Sequence, residues 1–258
     1  MLIFTLSGKY AALFSITYRK IKQKIMLSKK WFILVLTVSF FILACQNTDE
    51  GSMQPIDDYP LLSNKEEIAQ LLKDKCLDTI RFKKGEVVAD IGAGNGYLEA
   101  MLSLFNDSLT FYIQDIDSSV CNPETVSGVV DFYQNVNGRP FTNRFIVVIG
   151  TDTETNLPDN TFDKILMLWT YQYLKEPIKF MRDVRRKLKD GGLLYVINPD
   201  IDHEYGPELT KKYGWNASPI EREITDIIRS GFELTGISRN YDAPELPYIM
   251  VFKKDKPF

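Results

Sequence analysis

Three glycines at alternate positions follow an aspartate in the stretch from Asp90 to Tyr97, which reads DIGAGNGY. Gly92, Gly94 and Gly96 carry no Cβ, so the backbone here can pass close beneath a ligand. A dinucleotide-binding loop needs its third glycine five residues after its first, but that position is the tyrosine. The loop is therefore suited to a ligand other than a dinucleotide.

An aspartate followed by alternate glycines after a strand is typical of S-adenosylmethionine binding. That cofactor carries a sulfonium, an ammonium, a carboxylate and a ribose, and acidic groups around the loop suit it. Asp115 lies 23 residues after Gly92, where its carboxylate could accept hydrogen bonds from both ribose hydroxyls. The predicted cofactor-binding residues are Asp90, Gly92, Ala93, Gly94, Asp115, Ile116, Thr151, Asp152 and Trp169.

Each of the last four of these residues has an expected contact. Ile116 is placed against the adenine ring, and Thr151 and Asp152 near its amino group. Trp169, like Tyr97, could stabilise the sulfonium by a cation–π contact, with packing in the core as the alternative. A single aspartate is more often a helix cap or a surface charge, but three at consecutive strand ends indicate a binding site.

The elements that must position these residues alternate between strand and helix. EVVADIG, LTFYIQD, RFIVVIG, FDKILMLW, LLYVIN, FELTGIS and YIMVFKK are predicted strands. Predicted helices include one that Ser63 caps and that runs to about Arg81, and others within NGYLEAMLSLF, EPIKFMRDVRRKLKDGG and SPIEREITDIIRSG. The expected fold class is α/β: a Rossmann-like, doubly wound sheet, mostly parallel, with an antiparallel C-terminal strand.

Composition and charge limit the function classes. The chain has 258 residues, of which 45% are hydrophobic and 25% charged, so it can bury an ordinary core. Residues 46–258 carry 24 basic and 34 acidic side chains, a net charge of −10. Such a surface repels phosphate backbones, and no nucleic-acid partner is expected. The basic run MRDVRRKLKD is interpreted as a solvated helix face. No metal site is predicted, and the cysteines do not indicate a disulfide framework.

Residues 1–45 are interpreted as a signal-peptide segment. An apolar run of fourteen residues, Trp31 to Ala44, is short for a membrane span but suits a signal-peptide core. The following ILAC resembles a bacterial lipobox, with Cys45 as the lipidation site. An uncleaved N-terminal anchor, or a reactive or buried cysteine, is the alternative. The expected location is a bacterial membrane as an exported lipoprotein, or its cytosolic face if the signal is not processed.

Two further boundaries follow from composition. Residues 46–61 are polar, acidic and aperiodic, as expected for a flexible tether, and residues 62–258 form the predicted catalytic domain. Met26 would give a signal peptide of more usual proportions than Met1, so we expect the true start there.

The segment from about residue 75 to 253 resembles the class I S-adenosylmethionine-dependent methyltransferases, in particular a bacterial group of predicted methyltransferases. GEVVADIGAGNGY, DID, GTDTETNLPDNTFD, RRKLKDGGLLYVI and SGFELTG with YIMVFKK carry this resemblance. The resemblance implies a methyltransferase that uses S-adenosylmethionine. A lipid-anchored protein that retains the fold as a non-catalytic module is the alternative.

No residue is predicted to be catalytic, since methyl transfer depends mainly on positioning. The resembling group usually reads Met-Val-Asp-Val-Tyr-His where this chain reads MLWTYQ, so Gln172 replaces a histidine that could titrate near neutral pH. The residues predicted on the acceptor side are Tyr171, Gln172 and His203. The loop of residues 199–217 is interpreted as a lid, or alternatively as a plain surface loop. The methyl acceptor, a small molecule or a protein, is left open.

Overall fold

A computed structural model describes residues 61–75, 77–198, 219–238 and 248–255. The chain divides into two units, Met1–Gln54 and Pro55–Phe258, and every described residue belongs to the second. His203 and Cys45 lie outside the described residues. Of the predicted tether, residues 46–61, only Leu61 is described. Within the described part, no helix is long and apolar enough to cross a membrane.

Seven strands form one sheet in the order β3-β2-β1-β4-β5-β7-β6. The strands are β1 Val87–Ile91, β2 Thr110–Asp115, β3 Arg144–Ile149, β4 Phe162–Leu168, β5 Leu188–Asn198, β6 Phe232–Ser238 and β7 Tyr248–Lys254. The first five pair in parallel, and β7 runs antiparallel to both β5 and β6. From β1, the chain adds β2 and β3 on one side of the sheet and then β4 and β5 on the other side. Ligands of open α/β sheets bind where the strand order reverses in this way. The predicted fold class is confirmed.

The helices are α1 Lys65–Asp74, α2 Tyr97–Leu102, α3 Pro123–Asn137, α4 Pro177–Lys187 and α5 Ile220–Arg229, with 3-10 turns at Leu77–Thr79 and Tyr171–Tyr173. Two apolar clusters form the core. Leu166 of β4 belongs to the cluster that contains residues of α1, α2 and α3, whereas Ile165 and Met167 belong to the cluster with residues of α4 and α5. Alternate strand residues therefore face opposite helical layers, as in a doubly wound sheet.

Two sequence-based expectations about helices were wrong in detail, and one helix was missed. Asn64, rather than Ser63, caps α1, and its side chain accepts hydrogen bonds from Glu66 N and Glu67 N. Helix α1 ends at Asp74, well before Arg81. Helix α3 was not predicted, although Asn122 caps it and Pro123 occupies its first turn. Its valines have low helix propensity, so only the capping residues indicated this helix in the sequence.

The basic run on α4 is not simply a solvated face. Arg185 Nε donates to Gly231 O at 2.7 Å, and its Nη2 donates to Asp255 O at 2.9 Å. Lys187 is buried, and its Nζ lies 3.3 Å from Asp183 and 2.7 Å from Asp159. These contacts attach α4 to neighbouring loops, which explains why basic residues occur on a helix that packs against the sheet.

Candidate functional site

The glycine loop is attached to strand β2 at the carboxyl end of the sheet. Gly92 N and Ala93 N both donate to Gln114 O, at 2.8 and 3.0 Å. Gly92, Gly94 and Gly96 have φ angles of 77°, 56° and 78°, a conformation that L side chains adopt at a cost. The backbone conformation therefore favours glycine at all three positions, and the close approach of a ligand stays a prediction.

Asp115 connects the loop to the end of β2. Its Oδ2 accepts a hydrogen bond from Gly94 N at 2.9 Å. Its Oδ1 accepts from Ile116 N at 2.7 Å and from Asp117 N at 3.0 Å. Three backbone donors fix the carboxylate in place, and its remaining lone pairs are available to hydroxyl donors. Ile116 beside it is 53% exposed, so its apolar side chain is free to cover a flat ring.

The residues predicted at the third strand lie on the surface beyond β3. Thr151 Oγ1 accepts from Glu154 N at 3.0 Å, which makes a local turn. Asp152 Oδ2 accepts from Lys175 Nζ at 3.0 Å in an exposed ion pair. Both side chains already have protein partners, and their contact with adenine stays a prediction.

A second acidic residue, Glu99, lies against Asp90 beneath the loop. Asp90 is 2% exposed at the end of β1, and Glu99 is 0% exposed on α2. Burial, followed by the Glu99 and Asp115 charges, raises the pKa of Asp90 well above its usual value. Burial likewise raises the pKa of Glu99.

The raised pKa values of the two carboxyl groups favour one proton shared between them. Among the described residues, no N–H or O–H donor reaches Asp90 Oδ1 or either carboxylate oxygen of Glu99. The hydrogen bond between the two side chains therefore needs a proton on one of them. Sequence analysis missed Glu99, but a glutamate between apolar neighbours in LEAML was a usable signal.

The end of β4 brings Trp169 and Thr170 to the loop. A Cβ on Gly92 would lie 2.3 Å from Thr170 Oγ1, so the two segments touch. Trp169 has a φ of 55°, an uncommon conformation for a bulky residue, and its indole is 36% exposed. Trp169 thus lies exposed at the predicted edge of the site.

Lys75, at the C-terminal end of α1, contacts this indole. Its Nζ lies 4.1 Å from the centre of the Trp169 ring, within the range of a cation–π interaction. Burial lowers the pKa of Lys75. Within the part of the chain that the structure describes, no acidic side chain pairs with it. The sequence offered no sign of this contact, because the two residues lie far apart along the chain.

The predicted acceptor-side residues are mostly buried. Tyr171 is 1% exposed, and Gln172 is 4% exposed. The Tyr171 hydroxyl and Gln172 Oε1 have no hydrogen-bond partner in the described structure. Burial raises the pKa of Tyr171, and Asp226 and Glu223 raise it further. Tyr97 packs edge-on against Tyr133, with ring centres 5.9 Å apart, which favours its structural role.

A buried polar cluster at the end of β5 was also missed. Asn198 Nδ2 donates to Glu223 Oε2 at 2.9 Å, and the Tyr248 hydroxyl donates to the same oxygen at 3.3 Å. The cluster joins β5, α5 and β7 on the predicted acceptor side. Among the described residues, no group of three or more His, Cys, Asp or Glu side chains could hold a metal ion.

The comparisons with known proteins agree with this geometry. Residues 89–196 match the methyltransferase domain family. An uncharacterised methyltransferase of Bacillus subtilis, YdaC, is 24% identical over 187 residues, which are 72% of this chain and 92% of that protein. A methyltransferase structure from Aquifex aeolicus is 21% identical with a TM-score of 0.51, over 73% of this chain and 97% of that one. Another methyltransferase structure, from Mesorhizobium loti, is 12% identical with a TM-score of 0.53, over 74% of this chain and 100% of that one.

The fold is the class I methyltransferase fold. The matched segment begins at Ala89, within β1, and ends at Val196, within β5. It therefore contains the glycine loop, Asp115 and Trp169. The methyltransferase fold places all three at the carboxyl ends of adjacent strands.

Proposed function

We propose that this chain is a methyltransferase that uses S-adenosylmethionine as its cofactor. The observation that carries this proposal is the bond from Gly94 N to Asp115 Oδ2, which joins the glycine loop to the predicted ribose-binding carboxylate. The match of residues 89–196 to methyltransferase domains and the likeness in fold to methyltransferases support it.

The residues present fit this cofactor chemically. Asp115 offers lone pairs to ribose hydroxyls, and Ile116 offers an exposed apolar surface to adenine. The acidic pair of Asp90 and Glu99 lies buried beneath the loop, with oxygens that lack donors among the described residues. With one proton shared, the pair keeps a single negative charge, which favours a cationic ligand. A pyrophosphate would be repelled by the same charge.

The chain itself has two tasks in such a reaction. S-adenosylmethionine, when bound, supplies a methyl group on a positively charged sulfur. The glycine loop and Asp115 hold the nucleoside part at the carboxyl edge of the sheet. Residues at the end of β4 hold the acceptor in line, because positioning two reactants supplies much of the rate acceleration. No proton transfer by the protein is required if the acceptor is already ionised.

Calorimetry of the full chain with S-adenosylhomocysteine tests the cofactor site. We expect Asp115→Ala to weaken binding by about 1.5–3 kcal/mol, because hydrogen bonds to a charged group are lost. Asp117→Ala is the matched control, since the Asp117 carboxylate accepts hydrogen bonds within its own turn, from Ser119 N and Oγ. Binding that is absent in the wild type would overturn the proposal and favour a non-catalytic, lipid-anchored module.

We also propose that the N-terminal segment attaches the enzyme to a bacterial membrane. The support comes from the sequence: the apolar run Trp31 to Ala44, followed by Cys45. Mass spectrometry of the protein from a native membrane fraction should find a lipid on Cys45. Unmodified protein that retains residues 26–45 would indicate a plain anchor. That result would place the domain on the cytosolic face, where S-adenosylmethionine is made.

A further inference from the structure

The ammonium group of Lys75 is a cation at the site edge that has no acidic partner among the described residues. Its Nζ lies 4.1 Å from the centre of the Trp169 ring. No ion pair or side-chain hydrogen bond joins it to another described residue. Two buried lysines, by comparison, have acidic partners: Lys164 pairs with Glu86, and Lys187 pairs with Asp159 and Asp183. Lys75 therefore lacks the compensation that the fold gives these two buried cations.

Several contacts place the Lys75 ammonium group beside the glycine loop. Trp169 is followed by Thr170, whose side chain touches Gly92. Trp169 N donates to Ile197 O at 2.8 Å, which fixes the Trp169 backbone at the junction of β4 and β5. Lys75 comes from α1, whose Ile68 and Leu72 are buried in the core, so the helix is anchored. The exposed indole and the ammonium together form one surface at the carboxyl edge of the sheet.

We propose that Lys75 and Trp169 bind the methyl acceptor, and that the acceptor is a planar or aromatic anion such as a carboxylate, phenolate or thiolate. This inference rests on the proposed function and names its substrate class. The ammonium attracts the negative charge, and the indole face packs against an apolar ring. Pairing with an anion also restores the solvation that Lys75 loses on burial, which is the cause of its lowered pKa.

An anionic acceptor balances the reaction without a base. Its lone pair forms the new bond to the methyl carbon while the carbon–sulfur bond breaks and the bonding electrons remain on sulfur. The acceptor becomes neutral, S-adenosylhomocysteine is released, and no proton has to leave. This matches a site where Gln172 stands in place of a titratable histidine. After transfer the neutral product no longer pairs with Lys75, which favours its release.

Binding of matched aromatic probes tests the charge preference directly. The full chain with Trp31→Phe and Trp215→Phe retains Trp169 as its one tryptophan, since the sequence has three. Quenching of Trp169 fluorescence is measured with 4-nitrobenzoate, its neutral isostere 4-nitrobenzamide, and the cation 4-nitrobenzylammonium. Titrations are run with and without saturating S-adenosylhomocysteine. We expect the benzoate to bind at least about tenfold more tightly than the other two, the scale of one charge-assisted contact.

Variants of Lys75 distinguish the effect of its positive charge from the effects of its packing and of proton transfer. Lys75→Met should reduce benzoate binding to the level of the amide, whereas Lys75→Arg should retain the preference. Lys73→Met, an exposed lysine of the same helix, is the control and should change nothing. Thermal melting of each variant shows whether it remains folded.

Equal binding of all three probes, or no quenching by any of them, would overturn the inference. Loss of the preference in Lys75→Arg as well as Lys75→Met would also overturn it. Failure of the proposed function gives a different result, because the wild type would then not bind S-adenosylhomocysteine in calorimetry, whatever its preference among the probes.

Discussion

Replacement of Gly92 by alanine should destabilise the protein far more than the same change at Gly94. Both residues have positive φ angles, 77° and 56°, so each alanine incurs a conformational cost of about 1–2 kcal/mol. The surroundings differ. A Cβ at Gly92 would lie 2.3 Å from Thr170 Oγ1 and 2.6 Å from its Cγ2, whereas a Cβ at Gly94 meets only Val120 Cγ1 at 4.0 Å.

The clash at Gly92 is difficult to relieve. Thr170 Oγ1 donates to Leu168 O at 3.0 Å, so rotation of the side chain would break that hydrogen bond. Overpacking of this kind costs about 1–3 kcal/mol. We therefore expect a total of about 2–5 kcal/mol for Gly92→Ala, against about 1–2 kcal/mol for Gly94→Ala. Urea unfolding of the full chain, with the slope compared among variants, measures both free energies.

A double-mutant cycle isolates the contact itself. Thr170→Ala removes the two nearest atoms and leaves the Thr170 Cβ position, which lies 3.0 Å from the methyl carbon that alanine adds at position 92. The double variant should be more stable than the sum of the single changes by about 1 kcal/mol or more. If Gly92→Ala and Gly94→Ala are equally destabilising and Thr170→Ala gives no rescue, the contact between the β4 end and the glycine loop is not what requires glycine at position 92.

Two further variants test the buried charges. Because the pKa values of Asp90 and Glu99 are raised in the folded protein, the folded state holds more protons than the unfolded chain. This pair's contribution to stability is then complete below the ordinary carboxyl pKa values of 3.8 and 4.5, and it is lost as pH rises through the folded values. In Glu99→Gln, the amide can donate to Asp90 without a shared proton, so the loss of stability with rising pH should be smaller. If the free energy of unfolding in urea depends on pH as it does in the wild type, the two carboxyl groups do not share a proton. Arg185→Met should cost about 1.5–3 kcal/mol in the same assay through the lost bonds to Gly231 O and Asp255 O, while the exposed control Arg182→Met should cost little.

Local signals explain what the sequence could predict. The glycine loop is encoded by three alternate glycines, and its bond to Asp115 spans only 21 residues between neighbouring parallel strands. Alternation of strands and helices was enough to place both segments at one edge of the sheet. The strand assignments succeeded where strands such as β1 and β4 are short apolar runs bounded by turn residues.

Contacts between distant segments could not be predicted in the same way. Lys75 reaches Trp169 only because α1 packs on one face of the sheet with its C-terminal end toward the carboxyl edge. Asn198, Glu223 and Tyr248 meet because β7 inserts between β5 and β6, an order that the sequence does not specify. Glu99 lies between these cases, since its contact with Asp90 depends on α2 following directly from the glycine loop.

The titration properties of the predicted acceptor side restrict how an acceptor could be activated. Gln172 does not titrate, and the raised pKa of Tyr171 keeps its hydroxyl protonated near neutral pH. Glu223 already accepts hydrogen bonds from Asn198 and Tyr248. Lys75 is a further described titratable group at this edge, and its lowered pKa makes it either a cation that binds an anion or, when neutral, a proton acceptor.

Arginine distinguishes these two roles of Lys75 because its guanidinium keeps the positive charge and does not lose a proton in proteins. Methyl transfer to an ionised acceptor, followed as S-adenosylhomocysteine release, should therefore survive Lys75→Arg and fall in Lys75→Met. Loss in both variants, with a rate that rises with pH in the wild type, would instead identify Lys75 as the base. An acceptor that needs deprotonation would then replace the anionic one.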